Sequence, residues 1–394
     1  MVTHTPVAVP RKARIVLIGH LAGDTLGGSE RSLLDVLAAV DRREYDVSCV
    51  LPAGNDDYLR AIARHADDIS VFPYHWWNGS RHGNSETVSR FAEIFRRVSA
   101  DIVHVNTITL MDPLLAAKST GAVSILHARE LIYHAPGLAR CLGATAFDIV
   151  CALRSAADFI IGNSEATLRL YHKESRSFLL YNCVDVDAFD IPNEVDPKNL
   201  KIGIISNNST EKGIEYFVRL ATMAARRGLD LEFVVIGQHT ELTEDFARTA
   251  QGAEVPVRIR FTGYLVEPVE AVRQVNVVVS LSIVPESFGR TLVEAMAARR
   301  PVVAFDGGAV AELVRHGQDG FIVPYLDLEA VLEHLATLAG SPDRLAAIGR
   351  SARARAEELF SPVKFAAKLN GIYQHVLSRP AAGAASTAPP SIDG

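Results

Sequence analysis

The stretch from Val277 to Leu313, VVVSLSIVPESFGRTLVEAMAARRPVVAFDGGAVAEL, constrains the fold more than any other part of the chain. It opens on a short apolar run, Val277–Leu281, that reads as a buried strand. A loop with Pro285 and Gly289 follows, then a helix of about two turns from Arg290. A second strand over Val302–Phe305, a Gly307-Gly308 turn and another helix complete the pattern. Two carboxylates bracket the first turn. Glu294 is flanked by Leu292, Val293, Ala295, Met296 and Ala297, company in which a carboxylate is costly to bury unless it accepts hydrogen bonds. Between Glu286 and Glu294 the backbone N–H groups of Arg290, Thr291 and Leu292 would begin a helix, a natural seat for an anion. Taken singly, either carboxylate could equally be an ordinary surface or half-exposed residue.

The rest of the chain repeats the alternation of strand and helix, which argues for an α/β fold with parallel sheets. In the first half, strands are expected at 15–19, 47–51, 69–72, 102–105, 124–128, 159–162 and 178–180. Helical periodicity fits 29–40, 58–66, 88–98, 111–120 and 165–171. A second series of strands opens at 201–206 and continues at 232–236, 259–262, 277–281, 302–305 and 321–323. At 394 residues the chain is long for one core and comfortable for two. Residues 1–13 and 379–394 are poor in large apolar groups and read as disordered.

Composition excludes some functions. A formal net charge of −6 argues against nucleic acid as a general partner. No apolar run approaches a membrane-spanning length, and the first residues lack the apolar core of a signal peptide, so a cytoplasmic location is expected. Cys49, Cys141, Cys151 and Cys183 form no CxxC pair and read as small buried residues.

Several further positions carry candidate chemistry. The connection Gly19–Glu30 is a glycine-rich loop opening onto a helix, where Gly27 and Gly28 permit close approach of a phosphate. It is not G-x-G-x-x-G, so a dinucleotide site is poorly supported. His127 ends a strand, where α/β sheets bind ligands, and Arg129 and Glu130 follow it. Trp76 and Trp77, the only tryptophans, are adjacent; on extended chain they point to opposite sides. They either pack under their loop or offer an aromatic platform to an acceptor.

The run P-E-S-F-G-R-T-L-V-E-A-M-A, with P-V-V-A-F-D-G-G-A-V-A-E-L behind it, resembles the donor-site motif of family-4 retaining glycosyltransferases. Asn182-Cys-Val-Asp-Val-Asp-Ala-Phe189 resembles that family's inter-domain linker, with Cys183 in place of the usual glycine. The resemblance extends over most of residues 14–377. It implies the GT-B architecture, two Rossmann-like domains facing across a cleft. An acceptor domain would span 14–181, a linker 182–200 and a donor domain 201–360. A helix over 361–378 would cross back to the first domain.

The resemblance also implies roles. Glu294 would hold the ribose of a nucleoside diphosphate sugar, and Glu286 with the Phe288-Gly289 backbone would hold the sugar. Lys212, the Gly27-Gly28 loop and the helix start at Arg290, Thr291 and Leu292 would stabilise the leaving diphosphate. Gly237, Tyr264 and Leu265 fall near the nucleotide, and His127 would orient sugar and acceptor. Glu30, Trp76, Trp77, Arg129 and Glu130 are acceptor-side candidates. Family members usually carry an arginine where this chain has Asn207, which leaves Lys212 as the matching cation. Asp185-Val-Asp187 looks like a metal-binding D-x-D, but its place in the linker argues against that; no metal or cofactor is expected.

The implied activity is metal-independent transfer, with retained anomeric configuration, from a nucleoside diphosphate sugar to an alcohol. UDP is favoured and GDP possible. The acceptor would be a glycan, a lipid or a small natural product, with peripheral membrane contact open and oligomeric state undetermined. A pseudo-glycosyltransferase or a sugar-nucleotide epimerase would use the same motifs. A sugar-nucleotide-binding partner subunit that has lost transfer is the reading from another class.

Overall fold

The protein is described by a computed structural model covering residues 11–20, 27–79, 83–196, 199–252 and 255–378. Most of the head expected to be disordered and the whole of the tail lie outside these residues. Arg11, Lys12 and Ala13 do not belong to that head. Arg11 pairs with Asp101, Lys12 donates to the Arg42 carbonyl, and a strand has begun at Ala13.

Apolar β-branched runs build two sheets. The first holds β1 (Ala13–Ile18), β2 (Tyr45–Leu51), β3 (Asp68–Val71), β4 (Ile102–Val105), β5 (Val123–Ala128), β6 (Phe159–Gly162) and β7 (Ser177–Leu179). Their order is 3-2-1-4-5-6-7. The second holds β8 (Leu200–Ile205), β9 (Leu231–Ile236), β10 (Ile259–Phe261), β11 (Val277–Ser280), β12 (Val302–Phe305) and β13 (Gly320–Val323), ordered 10-9-8-11-12-13. All these pairings are parallel. Each sheet therefore reverses its winding once, at β1/β4 and at β8/β11. Such switch points open a crevice beyond the strand carboxyl ends. This is the α/β, two-domain arrangement expected from the sequence.

Helices cover both faces of each sheet, and apolar clusters fill the layers on either side. Sequence periodicity did not reveal a 3-10 turn at Ile132–His134 or helices at Pro136–Cys141 and Ala146–Ala156. Pro136, Gly137 and Gly143 interrupt the apolar repeat there, and the first two elements are too short to show one. Cys141 and Cys151 lie in those helices and are exposed, contrary to the reading of all four cysteines as buried; Cys49 and Cys183 are buried.

The last helix, Pro362–Leu377, packs Phe365, Leu369, Ile372, Tyr373 and Val376 against β1 and β2 of the first sheet. Its Asn370 donates to the Ala39 carbonyl and accepts from the Asp41 N–H. The chain after Leu180 instead buries Val184, Val186, Phe189 and Ile191 in the second domain's core. Asp185 accepts from the Ala188 N–H, and Asp187 is fully exposed beside Arg353. These two carboxylates are turn residues. No described helix is long and apolar enough to cross a membrane.

Candidate active site

The cleft between the sheets contains a cavity of about 460 Å³ walled by both domains. From the second domain come Ser206, Asn207, Lys212 and the loop Glu286–Thr291. From the first come Gly27, Gly28, Ser29, Arg129, Glu130, Asn163 and Asn182. A second cavity of about 260 Å³ continues past Thr291 and Arg290 to Gly237, Tyr264, Leu265 and Glu294. Residues separated by more than 250 positions thus share one trough.

Two glycines place the second-domain side chains. Gly213, with φ of 75°, follows a 3-10 turn over Thr210–Lys212; a Cβ there would lie 1.9 Å from the Leu281 carbonyl oxygen. Only glycine permits this left-handed close approach. Lys212 therefore stands just before the helix Ile214–Arg226. Its Nζ is 2.7 Å from Glu286 Oε1. Gly308, with φ of 61°, does the same for Glu286: a Cβ would meet the Glu286 carbonyl oxygen at 2.1 Å. That carbonyl accepts from the Ala309 N–H at 2.8 Å, clamping the loop to the turn after β12.

Gly289, at φ of 87°, caps the eight-residue helix Arg290–Ala297. The first turn is tight, and the Leu292 N–H donates to the Gly289 carbonyl at 3.0 Å. This removes Leu292 from the set of free donors expected at the helix start. Its side chain is buried in the core, while Arg290 and Thr291 line both cavities.

Arg290 does not stand free as a replacement cation. Its Nη1 is 2.7 Å from Asp35 Oδ2, and its Nε is 3.3 Å from Glu294 Oε1. Arg31 Nη1 lies 3.3 Å from the same Glu294 oxygen. Arg31 and Asp35 belong to the helix Gly28–Ala39 of the first domain, so this four-residue network spans the cleft. Burial raises the Glu294 carboxyl above its ordinary range, and the two guanidinium groups pull the other way. Asn207 is exposed, its Oδ1 accepting from the Ser209 N–H at 3.2 Å.

The first-domain wall is built differently, around a buried arginine. Arg129 donates to Asn106 Oδ1 from Nε at 3.0 Å and from Nη2 at 2.8 Å, and to Asn182 Oδ1 from Nη1. Burial lowers its guanidinium to about 10, with Glu130 and Asp35 opposing the shift. Glu130 accepts from Thr107 Oγ1 at 3.0 Å and from the Arg129 N–H at 3.0 Å; burial raises its carboxyl.

His127 lies outside the cleft wall. It is 0% exposed in β5, facing the layer beneath the last helix. Arg129 Nη2 is 3.1 Å from its Nδ1, and a guanidinium only donates, so Nδ1 is the acceptor. His104 Nε2, also 3.1 Å from that nitrogen, then donates, and His104 Nδ1 accepts from Tyr373 Oη at 2.7 Å. The proton of His127 consequently sits on Nε2, which has no partner among the described residues. Burial is the main reason that both histidines hold their protons weakly: His104 is lowered to about 3, and His127 is held well below the ordinary imidazole range.

The remaining acceptor-side candidates do not converge on the main cavity. Glu30 is buried, takes a bond from Ser29 Oγ and faces a small recess with His20 and Tyr58. Trp77 is buried, donating from Nε1 to the Ile108 carbonyl at 2.9 Å. Trp76 is 39% exposed beside His20. Sequence reasoning missed Asn106, Asn163, Asn182, Arg31 and Asp35. Neutral amides at strand ends carry no local signature, and nothing in the sequence pairs residue 35 with residue 290.

The two domains also touch outside the cavities. Glu312 of the second domain accepts from the backbone N–H groups of Glu165 and Ala166, at 2.7 and 2.8 Å. These are the first residues of the helix Glu165–Tyr171, which follows β6.

Comparison with known proteins fits this geometry. Residues 26–188 match the model of Glycosyltransferase Family 4, and residues 199–341 match that of Glycosyl transferases group 1. The chain belongs to the family-4, group 1 glycosyltransferases. Relatives within this group include an alpha-D-kanosaminyltransferase of Streptomyces kanamyceticus, 26% identical over 43% of this chain and 44% of its own length. The lipopolysaccharide core biosynthesis mannosyltransferase LpcC of Rhizobium leguminosarum bv. viciae is 28% identical, over 45% of this chain and 51% of its own. The chain thus matches about half the length of these curated relatives. Among solved structures, Anabaena Alr3699/HepE in complex with UDP-glucose aligns with a TM-score of 0.75. It is 19% identical, over 92% of this family-4 chain and 99% of its own, which shows the shared GT-B fold.

Proposed function

We propose that this chain is a retaining, metal-independent glycosyltransferase that moves a sugar from a nucleoside diphosphate sugar, UDP-linked by preference, to an alcohol acceptor. The observation that carries the reading is the convergence of Lys212, Glu286 and the Gly289–Thr291 helix start on one wall of a cleft continuous with a second cavity. The second cavity, with Gly237, Tyr264 and Glu294, suits the nucleoside. The helix start and Lys212 suit the diphosphate, whose developing negative charge they would stabilise. Glu286 and the first-domain wall then face the sugar, and His127 acts only indirectly, through its hydrogen bond with Arg129. The preference for UDP draws support from the UDP-glucose complex of the HepE structure.

Metal independence draws support from Lys212 and the helix start, which would meet the phosphate where a divalent ion would otherwise neutralise it. In this reading Glu286 is paired with Lys212 and Glu130 with Thr107, and the leaving phosphate takes the acceptor proton on the same face as the bond to the acceptor oxygen forms and the bond to phosphate breaks. Retention then shows as an unchanged anomer when the product is followed by nuclear magnetic resonance. The decisive experiment screens UDP- and GDP-sugars for acceptor-dependent release of nucleoside diphosphate in excess EDTA. Release is expected to persist. Loss on chelation with recovery on adding manganese or magnesium would overturn metal independence, and no release from any donor would overturn the enzymatic reading.

A further inference from the structure

Asn163 is 2% exposed, lines the main cavity, and has a buried Oδ1 with no hydrogen-bonding partner among the described residues. A buried amide oxygen without a partner is destabilising, because the water bonds lost on folding are not replaced. The position is not a casual one. Its backbone N–H donates to the Ala128 carbonyl at 3.2 Å, which fixes it beside Arg129 at the carboxyl end of β6. By parallel register, with Ala128 opposite Gly162, Asn163 shares the sheet face of Arg129 and His127. The next residue, Ser164, caps the helix whose first N–H groups Glu312 holds, and Thr167 Oγ1 lies 3.5 Å from the Ser287 carbonyl. These contacts hold the helix start that follows Asn163 against the second domain, and Asn163 lines the same cavity as Glu286, Ser287 and Phe288.

The other amides of this wall are committed: Asn106 and Asn182 spend their Oδ1 atoms on Arg129. Asn163 alone of the three keeps an acceptor unused. It sits in the half of the trough holding Lys212 and Glu286, and it does not line the half holding Gly237 and Tyr264. A neutral acceptor there matches a neutral donor on the ligand, which in a sugar-transfer cleft is a hydroxyl.

We propose that Asn163 reads a hydroxyl of the reacting sugar or of the acceptor, accepting its hydrogen bond at Oδ1. This rests on the glycosyltransferase reading, and it adds a specificity-determining residue on the first-domain wall.

The test compares the full-length wild type with Asn163→Leu and Asn163→Asp, using whichever of UDP-glucose, UDP-galactose, UDP-N-acetylglucosamine or GDP-mannose the wild type consumes. Leucine keeps the volume and removes the unpaired polar atom, so thermal stability should hold or rise. Efficiency should nonetheless fall about 10- to 100-fold, the loss expected from one hydroxyl contact. Affinity for the free nucleoside diphosphate should not change. Aspartate keeps an acceptor in place and should retain more activity than leucine. If donor hydrolysis by water falls together with transfer, the hydroxyl belongs to the transferred sugar; if only transfer falls, it belongs to the acceptor. A stable Asn163→Leu protein with undiminished hydrolysis and transfer would reduce Asn163 to a solvated amide and overturn the inference. A wild type that consumes none of the donors fails earlier, and that failure belongs to the glycosyltransferase reading.

Discussion

The two walls of the cleft solve different problems with different chemistry. On the second-domain wall, Lys212, Glu286, Arg290 and Glu294 are charged and sit on a tight turn and a helix start fixed by Gly213, Gly289 and Gly308. On the first-domain wall, Arg129 lines the main cavity, and four of its five N–H donors go to Asn106, Asn182 and His127. Beside it Glu130 is a buried carboxyl whose ionisation burial disfavours, and the remainder of that wall is hydroxyl, neutral amide and backbone. Charge is suited to phosphate, whose position is the same for every donor. Neutral acceptors are suited to hydroxyls, whose arrangement differs from sugar to sugar. On this view the second domain supplies rate and the first supplies choice.

The largest effect that would break this division is at Lys212. Lys212→Ala should lower turnover about 10²–10³-fold, the usual loss when one stabiliser of leaving-group charge is removed. Steady-state kinetics with the best donor checks it, and full activity would move the anion elsewhere. A smaller effect separates the two carboxylates. Glu294→Gln should weaken free UDP about tenfold by calorimetry, because ribose contacts persist from ground to transition state. Glu286→Gln should leave UDP affinity alone and lower turnover. Equal UDP affinities for the two variants would sink the assignment.

The smallest effect tests the first-domain wall through acidity. His104 and His127 are held neutral, with folded pKa values below the unfolded value of 6.5. The unfolded chain therefore binds more protons below that value. Stability is fully present above about pH 6.5 and falls as pH drops toward the folded values, by up to about 1.4 kcal/mol per pH unit for each histidine. Urea titrations at successive pH values should show this slope, and His104→Gln should flatten it. A profile unchanged by that substitution would mean that His104 is not held neutral.

Legibility in the sequence followed the same division. The Glu286–Glu294 run is contiguous, so its strand, turn and helix could be read from periodicity and glycine placement, and both parallel sheets followed from the alternation of apolar runs. Arg129 and Glu130 were noticed only because they trail a strand. Asn106, Asn163 and Asn182 end three different strands, and only the β4-β5-β6 pairing brings two of them beside Arg129. Leu292 and His127 were misplaced for local reasons. Gly289 begins its helix with a tight turn that consumes the Leu292 N–H, and strand alternation turns His127 into the layer under the last helix.

The grip of Glu312 on the Glu165 and Ala166 amides reaches further than its two bonds. Both amides sit at a surface helix start and are tied up while the carboxylate stays in place, and parting the domains breaks both bonds. At an exposed site such bonds contribute modestly, and together with the Arg31–Glu294 and Arg290–Asp35 pairs they bias the unliganded protein toward the closed arrangement. Those two hydrogens therefore report on an inter-domain contact away from the nucleoside cavity: their exchange with heavy water should quicken when Glu312→Gln weakens the grip.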